Sequence, residues 1–440
     1  MPIHKKRVII KLKQNAENGI IFHRGGYMKQ ISRDFYLNQL INSKHNRLIK
    51  VITGIRRCGK SYLLDPLFTK HLIESGVTER HIVKMNLDEI RNKQYLDPVK
   101  LDEYLRSQIL DSDMHYIILD EIQLVKDFEA VLNGFLYMDN VDVYVTGSNS
   151  KFLSTDIITE FRGRAFQINI YPLSFSEFLE NKDDDKRTSY NEYIRFGGMP
   201  LVLSMKTDED KSKYLKDLFE LTYLKDIVER NEVQRKDILE SVVNMVASSI
   251  GSLTNPNKLT NTFKSKGTKE LSINTVSQYL DYLIDSFLIE KVDRYDIKGK
   301  RYIQSTSKYY FTDIGLRNAR LNFRQQEENH IMENIVYLEL VIRGYNVDVG
   351  IVEVREGDKR KQLEVDFICH QHNKKYYVQV ALNLDTTTKT EQETRPFINI
   401  ADSFKKIIVV RDDIKPWITE EGILIIGIIE FLLNSNSLDI

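Results

Sequence analysis

The run Gly54-Ile55-Arg56-Arg57-Cys58-Gly59-Lys60-Ser61 has the spacing G-x-x-x-x-G-K-[ST]. Glycines at those positions let the backbone curl until successive N–H groups face one anion. Lys60 is then placed to neutralise β/γ-phosphate charge, and the Ser61 hydroxyl is a hard oxygen ligand for Mg²⁺. Gly54, Ile55, Arg56, Arg57, Cys58, Gly59, Lys60, Ser61 and Tyr62 are therefore the candidate residues for ATP. The segment from Tyr62 to Phe68 would set a helix N-terminus under the same anion, with Pro66 in the early turns where proline disturbs least.

Further along, Tyr116-Ile117-Ile118-Leu119-Asp120-Glu121 reads as a buried strand ending in two carboxylates. Asp120, with Ser61, is the candidate metal residue, and Glu121 is placed to orient and polarise an attacking water. Thr146-Gly147-Ser148-Asn149-Ser150 closes the next strand, where Ser148 or Asn149 can sense the γ-phosphate; a helix cap or turn is the competing explanation. Arg162-Gly163-Arg164 offers a guanidinium for transition-state charge, in cis or from a neighbouring subunit, with Arg164 ranked first and a plain ion pair equally able to explain it. The candidate catalytic set is Glu121, Lys60, Asn149 and Arg164.

These residues need a scaffold, and the flanking pattern supplies one. Leu48–Thr53, Ile82–Leu87, Tyr116–Leu119 and Val141–Thr146 are strand-like, with amphipathic stretches at Leu101–Leu110 and Phe128–Met138 between them. Strands alternating with helices predict an α/β fold with a parallel sheet covered on both faces. At 440 residues the chain is too long for one core. We expect a basic extension over 1–27, an ATPase core over 28–180, a helical connector over 181–245, a helix–helix–hairpin module over 246–325 and an α/β domain over 326–440. Tyr214–Met245 is helical in period and holds no Gly or Pro, and Ser272–Phe287 carries Ile273, Val276, Leu280, Leu283, Ile284 and Phe287 on one face.

Composition excludes more than it names. Lys+Arg and Asp+Glu both total 63, so bulk charge points to no partner. Two cysteines, Cys58 and Cys369, rule out a disulfide framework and a thiolate zinc cluster. The longest apolar run, Gly422 to Ile429, is far short of a bilayer span, and the N-terminus lacks an apolar signal core. The expectation is a cytoplasmic protein without a membrane partner. His370-Gln371-His372 lacks ligands at metal spacing and reads as an exposed loop.

The phosphate-loop run, Leu119-Asp120-Glu121-Ile122-Gln123, Thr146–Ser150, Arg162-Gly163-Arg164, Tyr171-Pro172-Leu173-Ser174-Phe175-Ser176-Glu177-Phe178 and Phe196-Gly197-Gly198-Met199-Pro200 together resemble a group of prokaryotic AAA+-like P-loop ATPases whose C-terminal half is a domain of unknown function. The resemblance runs from about Ile31 onward. It implies ATP binding and hydrolysis, a winged-helix module, and a terminal domain similar to restriction-endonuclease-like nucleases.

Both implied modules carry reservations in their residues. Between Gly251 and Tyr310 ten basic residues face six acidic ones, which allows non-specific DNA contact. The would-be recognition helix, Ser272–Ile289, has no Lys or Arg and two Asp, leaving only Asn274 and Gln278 as base readers. A protein partner is the rival. In the terminal domain Glu333 fits an outer acid and Glu364-Val365-Asp366 the first catalytic strand of a metal nuclease. The second strand reads Gln379-Val380-Ala381, so glutamine replaces an acid and alanine the lysine, which argues against cleavage.

Overall fold

The computed structural model describes residues 20–23, 26–147, 161, 163–265, 271–324 and 327–440. Two compact units divide the chain. The first comprises the chain up to Tyr171 with Glu180–Lys182 and Pro200–Lys206; the second holds Pro172–Leu179, Asp183–Met199 and Thr207–Ile440.

In the first unit a hairpin of β1 (Ile20–His23) and β2 (Gly26–Lys29) precedes five strands: β3 (Ile49–Thr53), β4 (Ile82–Asn86), β5 (His115–Asp120), β6 (Val141–Thr146) and β7 (Ala165–Asn169). Those five form one sheet in the order β4-β5-β6-β3-β7, every pair parallel. Ile49, Val51, Ile117, Leu119, Val143 and Val145 pack against Leu101, Leu105, Leu132 and Phe135 of the helices Pro98–Ser107 and Phe128–Phe135. Each such side chain contributes about 1.5–3 kcal/mol by leaving water. Asp97 caps the first of these helices, accepting from the Val99 and Lys100 amides, with Pro98 pre-set at its first position.

The second unit begins with helices and ends in a mixed sheet. Helix Lys186–Phe196 is capped by Asp185. The helical stretch expected over Tyr214–Met245 is interrupted between Arg230 and Lys236, although neither Gly nor Pro stands there. Asn231 explains the stop: its amide bonds the Ile227 carbonyl at 2.9 Å, and Glu232 turns into the left-handed region with φ 49°. Helices Pro256–Ser265 and Ile273–Asp285 follow, the latter capped by Ser272 and two residues shorter at its end than the periodicity predicts, with Ile273 of the expected apolar face exposed.

Eight strands complete the unit: β8 (Ile289–Asp296), β9 (Arg301–Phe311), β10 (Asn346–Glu356), β11 (Lys359–Gln371), β12 (Lys374–Ala381), β13 (Lys405–Val410), β14 (Trp417–Ile418) and β15 (Ile423–Gly427). They share one sheet in the order β14-β15-β13-β12-β11-β10-β8-β9. The hairpin β8–β9 is thus continuous with the terminal sheet, joined by the parallel pairing of Val349–Ile351 with Arg294–Asp296. The apolar run at Gly422–Ile429 is a strand only to Gly427; Ile428 already opens the helix Ile428–Leu433. His370 lies in β11 rather than in a loop, and His372 makes the turn after it.

The motif Phe196-Gly197-Gly198 has a packing reason. A Cβ on Gly197 would stand 2.4 Å from an Asp313 carboxylate oxygen, and one on Gly198 2.2 Å from the Leu173 carbonyl. Buried Asp313 accepts the Gly198 and Leu316 amides at 2.7 and 2.9 Å, tying this turn to the start of helix Ile314–Arg320.

Candidate functional site

The phosphate-loop run leaves β3 at its C-terminal end. Gly54 adopts φ 141°, and a Cβ there would lie 2.1 Å from the Ile170 carbonyl, so only glycine fits between the loop and the chain leaving β7. Gly59, at φ 107°, makes the second bend and caps the helix that starts at Lys60. Lys60 is buried, its ammonium donating to the carbonyls of Gly54 and Ile55 at 3.0 and 3.1 Å. Ser61 is exposed at the loop's mouth. Cys58 is fully buried against the Ile170 carbonyl, Arg57 is exposed with φ 66°, and Tyr62 is half-buried and hydrogen-bonded to the Ile31 backbone.

The helix after the loop departs from expectation. It breaks at Asp65, whose φ and ψ of −139° and 109° are extended, because the ring of Pro66 excludes the helical region for the residue before it. Proline is not tolerated within this helix as an early-turn residue; it interrupts it.

Asp120 ends β5, one strand removed from β3, and lines the same cavity of about 380 Å³ as Ser61, Asp65, Lys84 and Asn86. The Thr146 hydroxyl at the end of β6 donates to Asp120 and accepts the Glu121 amide at 3.1 Å, so one side chain fixes both acidic residues. Glu121 sits at φ 57°, which turns its carboxylate out of the strand direction, and Gln123 donates to it from the next turn. Thr146 and Gln123 stand inside the strand-end motifs, but local pattern assigns them no role. Their signal was position: the residue ending the neighbouring strand, and one two places beyond the acid.

Asn149, Ser148 and Arg162 lie outside the described residues. Arg164 is described, and it is not with the loop. Its carbonyl accepts the Ile49 amide at 2.9 Å, at the start of β3, whereas the loop leaves the other end of that strand. Four steps along β3 put roughly 13 Å between them. The guanidinium lies 6.0 Å above the exposed Tyr137 ring. Within one chain Arg164 does not complete this site, because parallel pairing sets the start of β7, with Arg164 just before it, beside the start of β3.

In the second unit the sequence-proposed acids do converge. Lys308 of β9 meets Glu333, Glu364 and Asp366 at 2.7, 2.8 and 3.5 Å. Tyr310, two residues on along the same strand face, donates to Glu333 at 2.6 Å. Burial alone would lower the Lys308 pKa, but the three carboxylates together raise it, so the ammonium is charged. Burial, then Glu333, pushes the Asp366 carboxyl up. In the sequence Lys308 is one basic residue among ten in its region, and its signal is a lone cation two places before Tyr310 in the run Lys308-Tyr309-Tyr310-Phe311.

Among the described residues, ligand-type atoms also gather at His81, Asp111 and His115, all within 4.8 Å. His115 is already committed: Nδ1 donates to the Asp113 carbonyl at 2.7 Å and Nε2 accepts the Leu110 amide at 3.1 Å. His115 therefore offers no lone pair to a metal and instead holds the entry to β5.

Loop, acidic strand end and five-stranded parallel sheet define an AAA-type P-loop domain. Residues 46–179 match the family described as AAA domain, and residues 187–327 match a domain of unknown function. The chain is 35% identical over 410 residues to an uncharacterized protein of Haemophilus influenzae, covering 92% of this chain and 98% of that one. It is 30% identical to an uncharacterized protein of Methanocaldococcus jannaschii, covering 88% and 86%. The chain belongs to the family that these proteins form. Among solved structures it is similar to a Walker-type ATPase of Pyrococcus abyssi, at 17% identity and a TM-score of 0.48 over 66% of this chain and 96% of that one. No helix among the described residues is long and apolar enough to cross a membrane.

Proposed function

We propose that the chain is a Mg²⁺-dependent ATPase whose turnover is gated by a protein partner. The observation that supports it best is the shared cavity of Ser61 and Asp120 beside buried Lys60. Lys60 is held by two neutral carbonyls, which a phosphate oxygen outbids, so nucleotide gives the ammonium a charged partner without a new desolvation cost. Ser61 and Asp120 are the residues that would hold Mg²⁺, directly or through water, and the ion would neutralise charge on the phosphates. Glu121 accepts the proton of the attacking water while Gln123 and Thr146 fix its direction. Arg164 acts, in this reading, only on the site of a neighbouring subunit.

Steady-state ATP hydrolysis by wild type and Glu121→Gln tests the assignment. The variant should bind ATP and turn over about 10²–10⁴ times more slowly. Wild-type protein that neither binds nor hydrolyses ATP would end the proposal.

Residues 246–325 read as a winged-helix module and 326–440 as a nuclease-like domain, in a protein of the reducing cytoplasm. Helix Ile273–Asp285 favours a protein over DNA as the partner. It presents Asp281 and Asp285, both with burial-raised carboxyl pKa values, and Gln278, one of its two base readers, is bonded to Tyr282 at 2.6 Å. The DNA reading predicts turnover stimulated by duplex and lost with rising salt. Unchanged turnover in DNA at low salt supports the protein-gated reading.

A further inference from the structure

The nuclease-like reading proposed for residues 326–440 would place a Mg²⁺ ion among Glu333, Glu364 and Asp366. The residues present do not fit one. The point on which these carboxylates converge is taken by the Lys308 ammonium, 2% exposed, at 2.7, 2.8 and 3.5 Å. The ammonium donates to Glu333 and Asp366 and forms an ion pair with Glu364. The Glu333 oxygen that meets Lys308 also accepts from Tyr310, and the second Asp366 oxygen accepts the Val380 amide at 2.9 Å.

The two positions where sequence departs from a metal nuclease point the same way. Gln379 does not face the cluster as a ligand: its oxygen accepts the Asp366 amide at 3.2 Å and its amide donates to Glu393 at 3.1 Å. Ala381 is buried in an apolar cluster with Tyr377 and Phe397. From a third side, a Cβ on Gly251 would lie 3.0 Å from both Glu333 oxygens, so the backbone after helix Lys236–Ser248 closes on the same carboxylate.

We propose that Lys308 is the resident cation of this domain: it stands where a divalent ion would, excludes that ion, and fastens the hairpin β8–β9 to helix Glu328–Ile342 and β11. The lysine arrives from a strand of the hairpin rather than from β12, so its charge does two things at once. It neutralises acids that could not all be ionised beside one another, and it joins a local hairpin to a sheet built from distant sequence. A catalytic lysine working beside a metal would need a face open to water and substrate, and Lys308 is instead enclosed.

The full-length chain without nucleotide tests this with Mn²⁺ as the probe. Wild type and Glu364→Gln should give the same Mn²⁺ titration, because neither holds an ion at the cluster. Lys308→Met should melt roughly 10 °C lower. Millimolar Mn²⁺ should restore much of that loss, and Glu364→Gln in the same background should abolish the rescue. A wild-type Mn²⁺ site lost in Glu364→Gln, or DNA cleavage that needs Asp366, overturns the proposal. So does a Lys308→Met protein as stable as wild type, or one whose lost stability Mn²⁺ leaves unrestored. If Lys308→Met fails to fold, the comparison of wild type with Glu364→Gln decides alone.

Discussion

Two buried lysines stand in acid-rich surroundings, and they are held in opposite ways. Lys60 donates to the neutral carbonyls of its own loop, while Asp120 and Glu121 are bonded to Thr146 and Gln123. Lys308 is bound to three carboxylates drawn from a helix and a strand remote in sequence. Among the described residues the first ammonium bonds only neutral carbonyls, so it gains when an anion arrives. The second is compensated before any ligand comes, and a ligand could only cost it partners. Burial and residue type are the same in both places, so it is the charge of the partner that separates a binding lysine from a structural one.

Exchanging each lysine for methionine is the sharpest way to break that contrast. Lys60→Met should lower ATP turnover about a thousandfold, since it removes a charge aimed at the phosphates, while its folding stability stays within about 1 kcal/mol of wild type. Lys308→Met should do the reverse. We expect a loss of about 3–5 kcal/mol in denaturant unfolding of the second unit, with nucleotide affinity unchanged in a fluorescent-ATP titration. Equal effects of both substitutions on stability would erase the distinction.

Smaller changes probe the neighbours of each lysine. Tyr310→Phe leaves Glu333 with Lys308 but removes a hydrogen bond to a charged group, and should cost about 1.5–3 kcal/mol in the same unfolding assay. Gln123→Ala should slow hydrolysis roughly fivefold, the rate equivalent of about 1 kcal/mol, by freeing the Glu121 carboxylate, with melting temperature unaffected. Faster turnover in that variant would mean that Gln123 restrains the base instead of aligning it.

How much of this could be read in advance depended on sequence distance. The phosphate loop is eight consecutive residues, and its geometry follows from local backbone rules at Gly54 and Gly59. Asp120 and Glu121 were legible because an apolar strand must end at the sheet edge. The break after Arg230 was not, since Asn231 and Glu232 stop the helix through one side-chain bond and one positive φ rather than through Gly or Pro. Pro66 was seen, but its effect was misjudged because it acts on the residue before it. Glu333, Glu364 and Asp366 were found as acids at strand and helix spacing, while the lysine that joins them comes from a different hairpin.

By itself, then, the sequence determined the local features: the curled loop, the acidic strand end, the alternation that builds a parallel sheet, and the acids on one face of β11. The tertiary structure alone decided which of those features meet. Parallel pairing carried Arg164 to the far end of β3 from the loop, and the union of β8 with β10 brought Lys308 among three carboxylates. Pairing between strands distant in sequence leaves little trace in local pattern, because a strand's alternation records which side is buried and not which neighbour lies beside it.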